Sequence, residues 1–155
     1  MLEARGEWLL FSDADLSTPI EDASNLYAVA LGAEADIAIG SRAVDRSLVS
    51  VHQPAMRELS GRFFNLVMRM VTGLRFRDTQ CGFKLYRASA AREVFSRQKL
   101  DGFSFDVEDL YIALRLGIPA IEVPVHWANV EGTKVSAFTG LQSFADLLRI
   151  RRHRE

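Results

Sequence analysis

Asp13 and Asp15 stand one residue apart at the end of an apolar run, in the stretch WLLFSDADLSTP spanning 8–19. Residues i and i+2 of an extended chain project to the same side, so both carboxylates face one way if the strand geometry persists. Two like charges that close repel unless a cation or a shared proton sits between them. One reading makes the pair hard oxygen ligands that place Mg2+ or Mn2+ on a nucleotide diphosphate. The other makes them a solvated strand end, with Asp15 capping the next helix. A D-x-D pattern by itself leaves both open.

Such carboxylates need elements to position them. EWLLFSD is a continuous apolar run of the kind found in buried parallel strands. Pro19, Glu21 and Asp22 open a helix predicted over 20–32, stopped at Gly32. ADIAIGSR reads as a second buried strand and AVDRSLVSVHQPAM as a loop. Leu59, Phe63, Leu66, Val67 and Met70 recur at helical spacing and predict a helix over 56–72, closed by Gly73. CGFKLYR is a short strand, ASAAREVFSRQ a helix, and DVEDLYIALRLG a helix capped by Asp106 and stopped by Gly117. The prolines of IPAIEVPVHW place that strand at a sheet edge. SAFTGLQSFADLLRIRRHR reads as an amphipathic terminal helix. Strands alternating with helices give an α/β class with a mostly parallel sheet flanked by helices. In such sheets ligands bind beyond the carboxyl ends of the strands, where both DAD and GSR fall.

The 155 residues suit one domain, and 48% hydrophobic with 25% charged residues is ordinary globular composition. A net charge of −1 gives no global case for nucleic-acid binding. The single cysteine, Cys81, excludes an internal disulfide and fits a reducing compartment. Neither a run long and apolar enough to span a bilayer nor a signal-peptide pattern is present, which indicates a cytoplasmic protein. Charge is uneven, however. Arg57, Arg62, Arg69, Arg75 and Arg77 face one acid, Glu58, and RIRRHRE ends the chain. Both basic stretches adjoin amphipathic segments, which suits helices lying on the inner face of a membrane. Core packing of the 56–72 helix, and simple complementing of a helix dipole by the terminal arginines, are the plainer alternatives.

ARGEWLLFSDADLSTPIED, DIAIGSR, DTQCGFKLYR, FDVEDLY and EVPVHW…EGTKVS occur in an order that resembles family 2 glycosyltransferases. Within them the pattern is similar to the polyprenyl-phosphate branch, the dolichyl-phosphate glucose and mannose synthases, with DTQCGFKLY and FSFDVEDLY nearer the glucosyl side. The resemblance implies a partial GT-A (Rossmann-like) fold over 1–136 plus a basic amphipathic helix over 137–155. It implies metal-dependent, inverting transfer from a nucleotide-diphosphate sugar, UDP-glucose favoured, to a polyprenyl phosphate at a membrane surface. Asp13 and Asp15 would be the metal ligands of a DXD motif, and Asp15, Asp78 and Glu108 the catalytic acids. Arg42, Arg57 and Ser60 would contact the lipid phosphate, and Lys84 and Lys134 the diphosphate. Family members begin with a strand and a base-binding motif that do not precede Met1, so the chain resembles the later two-thirds of the catalytic domain and is expected to be nearly inactive alone.

Each residue also has a plainer role: Arg42 paired with a nearby acid, Glu108 and Asp109 on a surface helix face, Cys81 as a small core residue. Ser17 stands where mannose synthases carry glutamine, and the arginine expected before a G-x-S-K signature is missing around WANVEGTKVS. Both departures fit the glucosyl side better. No Q-x-x-R-W segment is present, against a processive polysaccharide synthase. Two other classes stand beside the enzyme: a non-catalytic remnant that binds metal or phosphate, and an interaction partner or homo-oligomer pairing through a free edge of the first strand.

Overall fold

The computed structural model describes residues 1–51, 55–100, 102, 104–129, 146 and 150, and leaves the side chains of 55, 57 and 58 outside that description. Strands β1 (Trp8–Ser12), β2 (Ile37–Ser41), β4 (Phe83–Arg87) and β5 (Ala120–Pro124) form one sheet in the order β1-β4-β2-β5. β4 runs antiparallel to both β1 and β2, while β2 and β5 are parallel. Three strands therefore share a direction and β4 is inserted against them.

Alternation along the strands serves two faces. Ile37, Ile39 and Tyr86 point into one cluster with Phe64, Met68, Val94, Val107 and Leu110. Those partners come from α2 (Ala55–Thr72), α3 (Ala88–Phe95) and α4 (Phe105–Leu116). Ala38, Phe83 and Leu85 point the other way, against Leu26 and Ala30 of α1 (Asp22–Gly32). With both faces covered, central strands read as unbroken apolar runs, as the sequence suggested. Ile150 is buried in the first cluster; apart from it and Asp146, the terminal helix expected over 137–155 lies outside the described residues.

Two glycines end helices as anticipated. Gly117 takes a left-handed conformation after α4 (φ +69°) and Gly73 does so after α2 (φ +78°), where a side chain would be strained. Two expectations need correction. The stretch read as a loop contains a 3-10 turn at Arg46–Leu48 and a strand β3 (Val49–Val51), which pairs in parallel with β6 (Trp127–Ala128). Asp106 is not the cap of α4: Ser104 holds that position, and Asp106 lies inside the first turn, its carboxylate engaged elsewhere.

Candidate functional site

Beyond the carboxyl ends of β1 and β2, the chain brings together Asp13, Asp15, Arg42, Asp78 and Asp106. Neighbouring groups hold these residues to different degrees. The Asp13 amide donates to the carbonyl of Gly82 at 2.7 Å. A Cβ on Gly82 would fall 2.1 Å from the Asp13 carboxylate, so a side chain there would force the aspartate out of this position. Asp15 accepts from the amide of Ser17 at 3.0 Å, and the Ser17 carbonyl accepts from Ala128 of β6, also at 3.0 Å. The small β3–β6 ribbon thus holds the DAD loop in place.

The Asp13 carboxylate accepts no hydrogen bond from the described residues. Partial burial, then the charges of Asp106 and Asp15, raise its pKa above the ordinary carboxylate value. An anion in that state is what a hard cation relieves. The oxygen donors present therefore fit Mg2+ or Mn2+, with Asp13 and Asp15 as the residues that would hold it. The described residues contain no cluster of three or more His, Cys, Asp or Glu suited to a metal, so a cation here would lean on ligand oxygens, as Mg2+ commonly does.

Arg42 forks onto Asp78. Its Nε and Nη2 lie 2.6 and 2.8 Å from the two carboxylate oxygens, and its own amide donates at 3.1 Å. Burial alone would raise the Asp78 pKa, but the Arg42 charge and these bonds hold it below the usual range. Burial likewise works against the guanidinium, and Asp78 outweighs it, keeping Arg42 firmly charged. The guanidinium also stacks 5.3 Å above the Trp127 ring. Glu122 of β5 supports the same corner: its carboxylate accepts from the amides of Arg77 and Asp78 and from the Ser41 hydroxyl. Asp78 is consequently ionised and engaged with Arg42, at the mouth where the resemblance expects a catalytic acid.

Three other expected site residues are placed differently. Lys84 is fully buried, its ammonium bound to Asp106 and Asp109, so the expected diphosphate contact is corrected. Glu108 is 2% exposed, and its carboxylate accepts from the amides of Lys99 and Leu100. It fastens the α3–α4 connection and does not reach the mouth, which corrects its catalytic assignment. Ser60 is exposed and bonds back to the Met56 carbonyl of its own helix at 2.8 Å. Lys134 and the side chain of Arg57 lie outside the described residues. Sequence reasoning missed Asp106 as a site residue, along with Glu122 and Trp127. The D-x-E spacing of FDVED was the available signal for Asp106, since two positions along a helix turn about 200° and only one of the acids can face the mouth.

Lys84 and its two acids carry one excess negative charge in the interior. Burial, offset in part by Lys84, and then the charge of Asp106 push the Asp109 carboxyl up to about 6. A folded pKa above the unfolded one means that the native state keeps its proton longer as pH rises. This group therefore favours folding most below pH 4 and loses that contribution as pH climbs to about 6. Melting temperatures across that interval should fall more steeply in the wild type than in Asp109→Asn; parallel curves would contradict the assignment. Cys81 is buried and its thiol is pushed up to about 12, as befits an inert core residue.

Comparison with known proteins places the sequence among glycosyltransferases. A model of the glycosyl transferase family 2 matches residues 1–95. A dolichyl-phosphate beta-glucosyltransferase of Drosophila melanogaster is 38% identical over 157 aligned residues, covering 97% of this chain and 48% of that protein. Proteins of the same description from Dictyostelium discoideum and Homo sapiens are 34% and 35% identical, again over 97% of this chain and 48% of theirs. The chain spans about half the length of the curated relatives it matches.

Proposed function

Because this chain belongs to glycosyl transferase family 2, we propose that it carries the diphosphate and acceptor-phosphate sites of an enzyme that moves glucose from UDP-glucose to a polyprenyl phosphate. The observation that carries this reading is the pairing, at one mouth, of an anionic DAD loop with a pre-forked arginine. An anionic pair suits the cation of a nucleotide diphosphate. A guanidinium already oriented by Asp78 and Trp127 has a further N–H edge to offer a second phosphate, and planar donors suit that anion.

A polyprenyl phosphate attacks through an oxygen already charged near neutral pH. Little help from a general base is then needed, which accords with Asp78 and Glu108 both being occupied. Asp13 and Asp15 would hold Mg2+ or Mn2+, which, when bound, neutralises charge on the leaving diphosphate. Arg42 orients the attacking phosphate, and the rigid corner built by Asp78 and Glu122 keeps it in place. In-line attack at the anomeric carbon from the opposite side gives inversion.

Access to a lipid acceptor has its own support. Met56, Leu59, Phe63, Leu66 and Met70 are all exposed, between 53% and 75%, and their spacing puts them on one face of α2. Arg62 and Arg69 are also exposed on that helix. No helix among the described residues is long and apolar enough to cross a membrane. The stripe instead suits a helix lying in the interface, where its arginines meet anionic headgroups. The test is transfer of radiolabel from UDP-glucose to dolichyl phosphate in vesicles, using protein expressed from its complete reading frame. Chloroform-soluble label that requires Mg2+ or Mn2+, and that drops with vesicle attachment in Leu59→Glu/Leu66→Glu, is expected. Absence of lipid-linked label with any divalent cation would refute the reading.

A further inference from the structure

Lys84 is the one fully buried ammonium among the described residues. A cation placed there is heavily penalised unless each N–H finds an acceptor. Its three donors have three: Oδ1 and the main-chain carbonyl of Asp106, the latter at 3.2 Å, and Oδ2 of Asp109 at 3.3 Å. Asp109 is in turn saturated. Its Oδ2 also takes the Tyr86 hydroxyl at 2.5 Å, its Oδ1 takes the Leu110 amide at 2.6 Å, and its side chain is 1% exposed. Asp106 differs. Only its Oδ1 is used, its side chain is 13% exposed, and no described residue donates to Oδ2. It stands in the first turn of α4, near enough for Asp13 to feel its charge.

We propose that Lys84 is a positioning residue that fixes one oxygen of Asp106 and thereby presents the other as a charged acceptor for a hydroxyl of the donor's sugar. The inference rests on the donor reading given above. If the diphosphate sits at Asp13 and Asp15, the sugar bonded to it lies within one ring's width of that loop. Sugar hydroxyls are neutral donors, and an ionised carboxylate is the strongest acceptor a protein can offer them. Asp106 and Asp15 are the two carboxylates whose charges reach Asp13, and Asp15 is assigned to the cation. A lone aspartate at a surface would swing between rotamers. Pinned at Oδ1 by a buried ammonium that is itself anchored on the sheet, Asp106 presents a single geometry, so less ordering is paid on binding.

The experiment is calorimetric titration of the full chain with UDP and with UDP-glucose, each in Mn2+, comparing wild type with Asp106→Asn, Lys84→Met and Tyr86→Phe. In Asp106→Asn, which keeps shape and leaves Lys84 an oxygen to bind, UDP affinity should hold while UDP-glucose affinity relative to UDP falls about tenfold. Lys84→Met should lower the same ratio if it folds. Tyr86→Phe, which loosens Asp109 but leaves the Asp106 contact intact, should lower the melting temperature with the ratio unchanged. A ratio unmoved in Asp106→Asn overturns the proposal even if UDP binds normally. Wild type binding neither nucleotide removes the donor reading, and this assignment with it.

Discussion

Replacing Arg42 with alanine should cost about 3 kcal/mol of folding stability, the low end of the penalty for stripping one partner from a buried ion pair, because the arginine side chain is 29% exposed. The partner left behind, Asp78, is 7% exposed and would stay buried with two strong donors gone. Trp127 would lose the cation stacked on its ring. Arg42→Lys restores the charge but cannot fork onto both oxygens, so it should recover only part of the loss. The double replacement Arg42→Met/Asp78→Leu should be less damaging than Arg42→Ala alone, because no uncompensated charge remains. Denaturant unfolding of the four proteins measures this directly. A loss below about 1 kcal/mol for Arg42→Ala, the range of exposed pairs, would show that water already screens the pair.

Replacing Asp13 should do the reverse to stability and weaken binding. Its carboxyl is held above the ordinary pKa by partial burial and by Asp106 and Asp15, so the ionised side chain is less stable in the folded chain than in the unfolded one. Asp13→Asn removes that charge and should raise the melting temperature slightly. The same change, or Asp13→Ala/Asp15→Ala, should reduce Mn2+-dependent affinity for UDP-glucose by at least about tenfold, or 1.4 kcal/mol. A gain in stability coupled to loss of binding is the signature of residues kept for function at a cost to the fold. Undiminished binding would move the cation elsewhere. Unchanged stability would mean that the carboxylates are simply solvated.

The parts of this molecule that were legible in sequence are those written locally. Apolar runs ending in DAD and GSR marked two strand ends at one mouth, and Gly73 and Gly117 marked helix stops. What escaped depends on contacts between distant segments. That β4 enters antiparallel between β1 and β2 is a matter of pairing, which a short run such as CGFKLYR does not encode by itself. That insertion is also what buries Lys84, since its strand is covered on both faces, and so turns an expected diphosphate contact into an interior cation. Arg42 and Asp78 were each singled out, but their union spans 36 positions and only the fold reveals it. The resemblance points to Glu108, and a sequence motif does not fix the rotation of a helix about its axis. The structure fixes it with the two amides that Glu108 accepts at Lys99 and Leu100.

The outer margin of β1 forms one edge of the sheet. Trp8–Ser12 pairs with β4 on one side only, and among the described residues nothing pairs with the other. Edge strands are ordinarily guarded by lysine, proline or a bulge, whereas WLLFS has none of these. The same five residues deliver Asp13 to its place, so decorating them with charge to keep molecules apart would disturb the loop they support. The sheet edge and the position of the DAD loop therefore depend on one short segment, and neither can be altered without the other.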